Sequence, residues 1–266
     1  MAVNTKVNLS GLTLDNPVIP ASGTYGFGKE YVDFYDINIL GSISIKGTTV
    51  QRRKGNPQPR IAECYSGLIN SVGLENPGME NVIQKELKDL EKIYRKPVIA
   101  NISGFSVEEY VTLAREMDKV DNVGIIEVNI SCPNVDHGGL AFGTNADNVR
   151  ELTKKIKEVT TKPVYMKLSP NVTDIKEIAR AAEEGGADGI SLINTLMGMR
   201  IDINRRRPVI ANKKGGFSGP AIFPVALRMV YEVYEATDLP IIGIGGISSA
   251  EDVIEMMMAG ATAVQI

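Results

Sequence analysis

A (β/α)8 barrel of the TIM type, in the α/β class, is the fold this sequence predicts, and three observations predict it. Eight short Val/Ile-rich runs are almost continuously apolar, as parallel strands covered on both faces are. Amphipathic stretches with apolar residues at three- and four-residue spacing separate most of them. The chain has 266 residues, 43% of them hydrophobic, enough for the one large core that such a barrel needs. Residues 1–266 therefore read as one domain. A doubly wound open sheet is the other arrangement of alternating strands and helices. Neither GTYGFG nor GIGGIS has the spacing of a dinucleotide fingerprint, so that alternative gains no motif.

The elements follow in order. The opening VNLSGLTLDNP reads as a small hairpin placed to plug the bottom of the barrel. PVIPASG (17–23) is the first strand and SISIKGTT (42–49) the second, with the helical pattern MENVIQKELKDLEKIYR (79–95) after it. PVIANISG (97–104) is the third strand. It opens on proline, as several of these runs do, at a first strand residue where no ladder N–H is required. The helix VEEYVTLAREMDKV (107–120) leads to the fourth strand, GIIEVNISCPN (124–134). The helix ADNVRELTKKIKEV (146–159) leads to the fifth, PVYMKLSP (163–170). Thr173 is placed to cap the helix of TDIKEIARAAEEGGA (173–187), which precedes GISLINT (189–195). AIFPVALRMVYEVYEA (221–236) then precedes PIIGIGGI (240–247), and Ser249 is placed to cap AEDVIEMMMAG before the eighth strand, TAVQI (262–266). The pattern stops on that strand, so the barrel reads as C-terminally incomplete, its eighth helix missing from this chain.

Composition narrows the function. With 29 basic and 32 acidic residues the net charge is −3, which gives no electrostatic footprint for nucleic acid. Arg52-Arg53-Lys54 and Arg205-Arg206-Arg207 read as solvated loop charges. No run of about 18 apolar residues offers a membrane span, and the first residues lack the apolar core of a signal peptide. Two cysteines, Cys64 and Cys132, make no disulfide framework, and with one histidine they are too few for an ordinary zinc site. A reduced, cytoplasmic setting is expected.

Two connections, 50–77 and 196–218, are too long for plain loops, and both follow strand C-terminal ends, the face where barrel active sites lie. Lys46, Asn101, Asn129, Cys132, Lys167, Asn194 and Thr195 fall at or just past those same ends. Gly243, Gly245 and Gly246 on the seventh strand would let backbone N–H groups approach a phosphate. Lys167 at a barrel mouth can be a Schiff-base nucleophile, a stabiliser of a bound anion or a snorkelling side chain. Single asparagines are commonly turn formers, yet Asn101, Asn129, Asn134 and Asn194 at equivalent strand ends suit a planar, amide-rich ligand. An aldolase-type barrel acting through Lys167 and a non-catalytic phosphate-binding subunit remain open at this level.

NISCPNVDHGGLAFGTN closely resembles the catalytic-loop region of the class 1 dihydroorotate dehydrogenases, and its VDHGG and AFGT portions resemble the NAD-linked class 1B subfamily. PASGTYGFG, SIKGTT, NSVGLENPG, ANISG, MKLSP, SLINT, GGFSGP and GIGGIS recur in that family's order over essentially the whole chain. The resemblance implies a barrel carrying one FMN that oxidises dihydroorotate to orotate in de novo pyrimidine biosynthesis. It also implies a partner subunit whose FAD and 2Fe–2S cluster pass electrons to NAD+, with a homodimer of this chain inside a heterotetramer. By position, Ser22, Lys46, Gly47, Asn101, Asn129, Lys167, Ile193, Gly219, Gly245 and Gly246 would hold FMN. Lys46, Asn70, Ser71, Val72, Gly73, Leu74, Asn129, Asn194 and Thr195 would hold the pyrimidine. Cys132 matches the catalytic base. A free thiol titrates near ~8.5, so a modest electropositive field, which Lys46 could supply, gives useful thiolate near neutrality. Cys64 and His137 gain no such role. The family continues past the residue matching Ile266, and its next residues would contact the FMN phosphate. The fumarate-linked class 1A homodimer is the alternative within the family.

Overall fold

The computed structural model describes residues 3–131 and 142–266. In chain order the elements are β1 (Val7–Leu9), β2 (Leu12–Leu14), β3 (Val18–Ile19), β4 (Ile61–Cys64) and β5 (Gly67–Asn70). Helix α1 (Met79–Asn81) passes through a π-helical stretch into α2 (Leu87–Glu91). Then come β6 (Val98–Ile102), α3 (Val107–Asp118), β7 (Val123–Asn129), α4 (Ala146–Lys157), β8 (Val164–Lys167), α5 (Ile175–Glu184) and β9 (Gly189–Leu192). The second excursion holds β10 (Leu196–Met199), β11 (Ile201–Asp202), β12 (Arg207–Pro208) and β13 (Lys214–Ser218), before α6 (Phe223–Tyr234), β14 (Ile241–Ile244), α7 (Ala250–Met258) and β15 (Ala263–Gln265).

Seven strands form one parallel sheet in the order β3-β15-β14-β9-β8-β7-β6. Residues 41–48 close it into a barrel. On one side Gly41 N donates to Val18 O at 2.9 Å and Ser44 N to Pro20 O at 3.3 Å. On the other, Ile45 N donates to Ile99 O at 3.0 Å and Thr48 N to Asn101 O at 2.9 Å. Closure removes the open doubly wound sheet as an arrangement. The continuous strand expected over 42–49 is instead a pair of isolated bridges, Ser44 with Ile99 and Thr48 with Ile102. The ladder breaks between them because Lys46 N turns away to Gly26 O at 2.9 Å.

Two cores result from the two faces of these strands. The outer faces (Ala100, Ile126, Val128, Val164, Met166, Ile190, Val264) pack against helix residues such as Leu113, Met117, Leu152, Ile178 and Val230. Inside the barrel, Ile19, Ile99, Ile125, Tyr165, Ile242 and Ala263 pack against Leu9 and Leu14 of the β1–β2 hairpin, which is the expected plug. Ser249 caps α7 in a full capping box with Asp252. The cap of α5 is Asp174 and not Thr173. Asp174 has extended backbone and its carboxylate accepts from Lys176 N at 2.9 Å, a stronger match to the positive helix end than a hydroxyl one residue earlier. The two long excursions meet above the strand ends in a four-stranded antiparallel sheet, β10-β13-β5-β4. Among the described residues, no helix is long and apolar enough to cross a membrane.

Candidate active site

Strand geometry alone stacks the polar residues. Alternate residues of a strand face the same side, so Asn101, Glu127 and Lys167 sit one step above the apolar inner layer of Ile99, Ile125 and Tyr165. Asn129 sits one step above Glu127, level in register with Lys167 on the next strand. The barrel interior therefore changes from apolar to polar halfway up, toward the C-terminal ends of its strands.

The lower polar layer is a closed network. Lys167, only 6% exposed, places Nζ 3.6 Å from Glu127 Oε2 and donates to Gln265 Oε1 at 3.4 Å. Gln265 Nε2 in turn donates to Glu127 Oε1 at 2.8 Å. Asn101 Nδ2 donates to Glu127 Oε2 at 2.5 Å, and Ser44 Oγ does so at 3.3 Å. Burial pushes the Glu127 carboxyl up, but the Lys167 ammonium and the hydrogen bonds of Asn101 and Gln265 outweigh it and hold the group below the ordinary carboxylate value. Glu127 and Gln265 escaped the sequence reading. The available signal was an acidic residue in the middle of the apolar run GIIEVNI, two residues before Asn129.

The upper layer is a chain of amides and hydroxyls. Asn194 Nδ2 donates to Asn129 Oδ1 at 3.1 Å and to Ser131 Oγ at 2.9 Å, while Asn194 Oδ1 accepts from Thr195 N at 2.7 Å. Tyr110 Oη donates to Asn129 O at 2.6 Å and steadies the strand end from the helix side. Gly216 of β13 packs so tightly over Thr195 that any side chain there would strike its hydroxyl. Gly216 O also accepts from Asn70 Nδ2 at 3.4 Å, so Asn70, Asn129, Asn194 and Thr195 belong to one connected wall. Lys46 lies half-buried at the neighbouring strand end, and its ammonium makes no ion pair among the described residues. Burial holds Lys46 below the ordinary lysine value, with Glu75 opposing that shift.

The glycines gather next to this wall, around the end of β14, where Ile193 N donates to Ile244 O at 2.9 Å. A Cβ on Gly246 (φ +74°) would meet Phe223 N at 2.7 Å and Gly219 O at 2.8 Å, and one on Gly245 would meet Ile193 Cγ1 at 3.3 Å. Ile193, Gly219, Gly245 and Gly246 are thus neighbours, packed so closely that neither Gly245 nor Gly246 has room for a side chain. A Cβ on Gly47 would come within 2.9 Å of Asn101 Oδ1. Ser22 is buried in the turn after β3 and hydrogen-bonds to none of the other named residues. Cys132, Asn134 and His137 lie outside the described residues.

The fold and this mouth define a (β/α)8-barrel enzyme with its site at the strand C-terminal ends. The profile of the dihydroorotate dehydrogenase family matches residues 4–266. The dihydroorotate dehydrogenase B (NAD(+)) catalytic subunit of Bacillus cytotoxicus is 58% identical over 261 residues, covering 98% of this chain and 84% of that protein. Its counterpart in Halalkalibacterium halodurans is 57% identical over 260 residues, covering 98% and 85%. That of Bacillus cereus is 57% identical over 261 residues, covering 98% and 84%. The chain belongs to the dihydroorotate dehydrogenase family, and it is an oxidoreductase.

Proposed function

We propose that this chain is the FMN-holding catalytic subunit of an NAD+-linked dihydroorotate dehydrogenase, working in pyrimidine biosynthesis in the cytoplasm. The observation that carries the proposal is the mouth itself: a close-packed glycine cradle at the end of β14, a connected amide wall beside it, and Lys46 and Lys167 at strand ends of the same mouth. The cradle suits a mononucleotide phosphate better than a dinucleotide. Of the three buried hydroxyls without a hydrogen-bond partner among the described residues, those of Ser71, Ser103 and Ser191, Ser103 Oγ lies beside the Gly47–Asn101 contact and Ser71 Oγ in the 70–74 segment. Unmet buried donors at a mouth are what a polar ligand satisfies.

In this reading Ser22, Lys46, Gly47, Asn101, Asn129, Lys167, Ile193, Gly219, Gly245 and Gly246 hold FMN. The chemistry that FMN supplies when bound is acceptance of the hydride lost from C6 of dihydroorotate. Lys167 fixes a positive charge at a buried position, where charge stabilisation is stronger than in water. Asn129, Asn194, Thr195, Lys46 and the segment from Asn70 to Leu74 orient the pyrimidine, because carboxamides pair with its ring amides and the free Lys46 ammonium pairs with its carboxylate. Cys132 takes the proton from C5, and a cation nearby would favour its thiolate. A partner subunit carrying FAD and a 2Fe–2S cluster would supply the route to NAD+, in a heterotetramer built on a dimer of this chain.

The test is spectroscopic. The purified chain should show flavin absorbance, release FMN on denaturation, and bleach under anaerobic conditions when dihydroorotate is added. A colourless protein that fails to take up FMN would reject the assignment, and trapping of a carbonyl compound on Lys167 by cyanoborohydride would redirect it to a Schiff-base aldolase.

A further inference from the structure

We infer that Glu127 is a positioning residue: its carboxylate, at the centre of the barrel, holds Lys167 and Asn101 in place for the flavin above them. The inference rests on the proposed FMN site. Neither side chain stands on its own. Lys167 is aimed by two acceptors, Glu127 Oε2 at 3.6 Å and Gln265 Oε1 at 3.4 Å, and Asn101 is tied to the same carboxylate at 2.5 Å. Gln265 completes a triangle in which its NH2 faces Glu127 and its oxygen faces Lys167, so its amide can serve only one way round.

Packing alone gives no reason for a charge here. Glu127 is completely buried, and one layer below it the same barrel is filled by Ile99, Ile125 and Ile242. An aliphatic side chain would fill the volume without the desolvation that a buried ion pair must overcome. The carboxylate lies beneath Lys167 and Asn101, and Ser44, Asn101, Gln265 and Lys167 surround its two oxygens. Completely buried and engaged on both oxygens, it acts through those groups. What the carboxylate adds is a fixed counter-charge that holds the ammonium stationary, and preorganised charge is what stabilises a developing anion.

The test is a double-mutant cycle on the full chain, with Glu127→Gln, Lys167→Met and the pair combined. FMN affinity of the stripped protein and the midpoint potential of the bound flavin are both measured. Glu127→Gln should weaken FMN binding roughly tenfold and move the potential negative, and its effect should nearly vanish once Lys167 is already methionine, since coupled neighbours are not additive. A purely structural role predicts equal changes in both backgrounds. A direct electrostatic role predicts a positive potential shift in both, because a negative charge has been removed. Either result overturns the inference. If Glu127→Gln does not fold by circular dichroism, Gln265→Met is run through the same cycle, because it removes one acceptor of Lys167 and leaves both charges. Retained FMN with additive changes sinks this inference alone. A wild-type chain that takes up no FMN sinks the site assignment and this inference together.

Discussion

Cys132 and Lys167 carry opposite kinds of risk when they are replaced. In the proposed site, Cys132→Ala would remove the base and spare the residues that hold FMN. Bound flavin should therefore remain while its reduction by dihydroorotate slows by ~10²–10⁴-fold, read by anaerobic stopped-flow absorbance. An unchanged rate would take Cys132 out of the mechanism. Lys167→Met should do more than weaken the proposed flavin site, because it leaves the fully buried Glu127 carboxylate without its cation. Breaking a buried pair from one side costs about 3 kcal/mol or more. Thermal or urea unfolding should show that loss, and adding Glu127→Gln should restore part of it by removing the stranded charge. If the double variant is as unstable as the two losses summed, the pair contributes nothing as a pair.

Helix ends and strand ends set the next scale. The α7 capping box satisfies two backbone donors reciprocally, so Ser249→Ala should lower stability by ~1 kcal/mol with little change in flavin binding. Gly246→Ala should behave differently. Its φ of +74° disfavours a side chain, and the added methyl would press on backbone atoms of Phe223 and Gly219 that cannot swing aside. Stability should fall by more than ~1 kcal/mol, and FMN affinity should fall with it, measured by flavin fluorescence quenching. Normal affinity in a folded Gly246→Ala protein would move the phosphate site away from the end of β14.

For the molecule as a whole, the question is where electrons go. With the glycines of the barrel assigned to the proposed mononucleotide site, the sequence offers no dinucleotide fingerprint for NAD+. Two cysteines cannot supply the four thiolates of an ordinary iron–sulfur cluster. The FMN-loaded chain by itself should consequently make little NADH from dihydroorotate and NAD+ while still reducing artificial dyes. Steady-state assays with NAD+ as the only acceptor check this. Rapid NADH production without a second subunit would reject the partner and leave the flavin chemistry standing.

The sequence by itself determined the strand–helix alternation, the plug hairpin, the Ser249 cap and the alignment of Asn101, Asn129, Lys167 and Asn194 at strand ends. Each of these is written in local periodicity or in one residue's backbone preference, which a linear reading can follow. The Asp174 cap was within reach but went to its neighbour, because Thr173 and Asp174 are both good caps and only the backbone chooses between them. The tertiary structure alone decided the rest. Barrel closure runs through a segment with two isolated bridges, and Asn70 joins Thr195 only because two distant excursions pair with each other. Most of all, Glu127 and Gln265 stand 138 residues apart and became visible as one network only when the barrel brought them together. A buried charge has its meaning in its partners, and partners across a barrel leave no period in the chain.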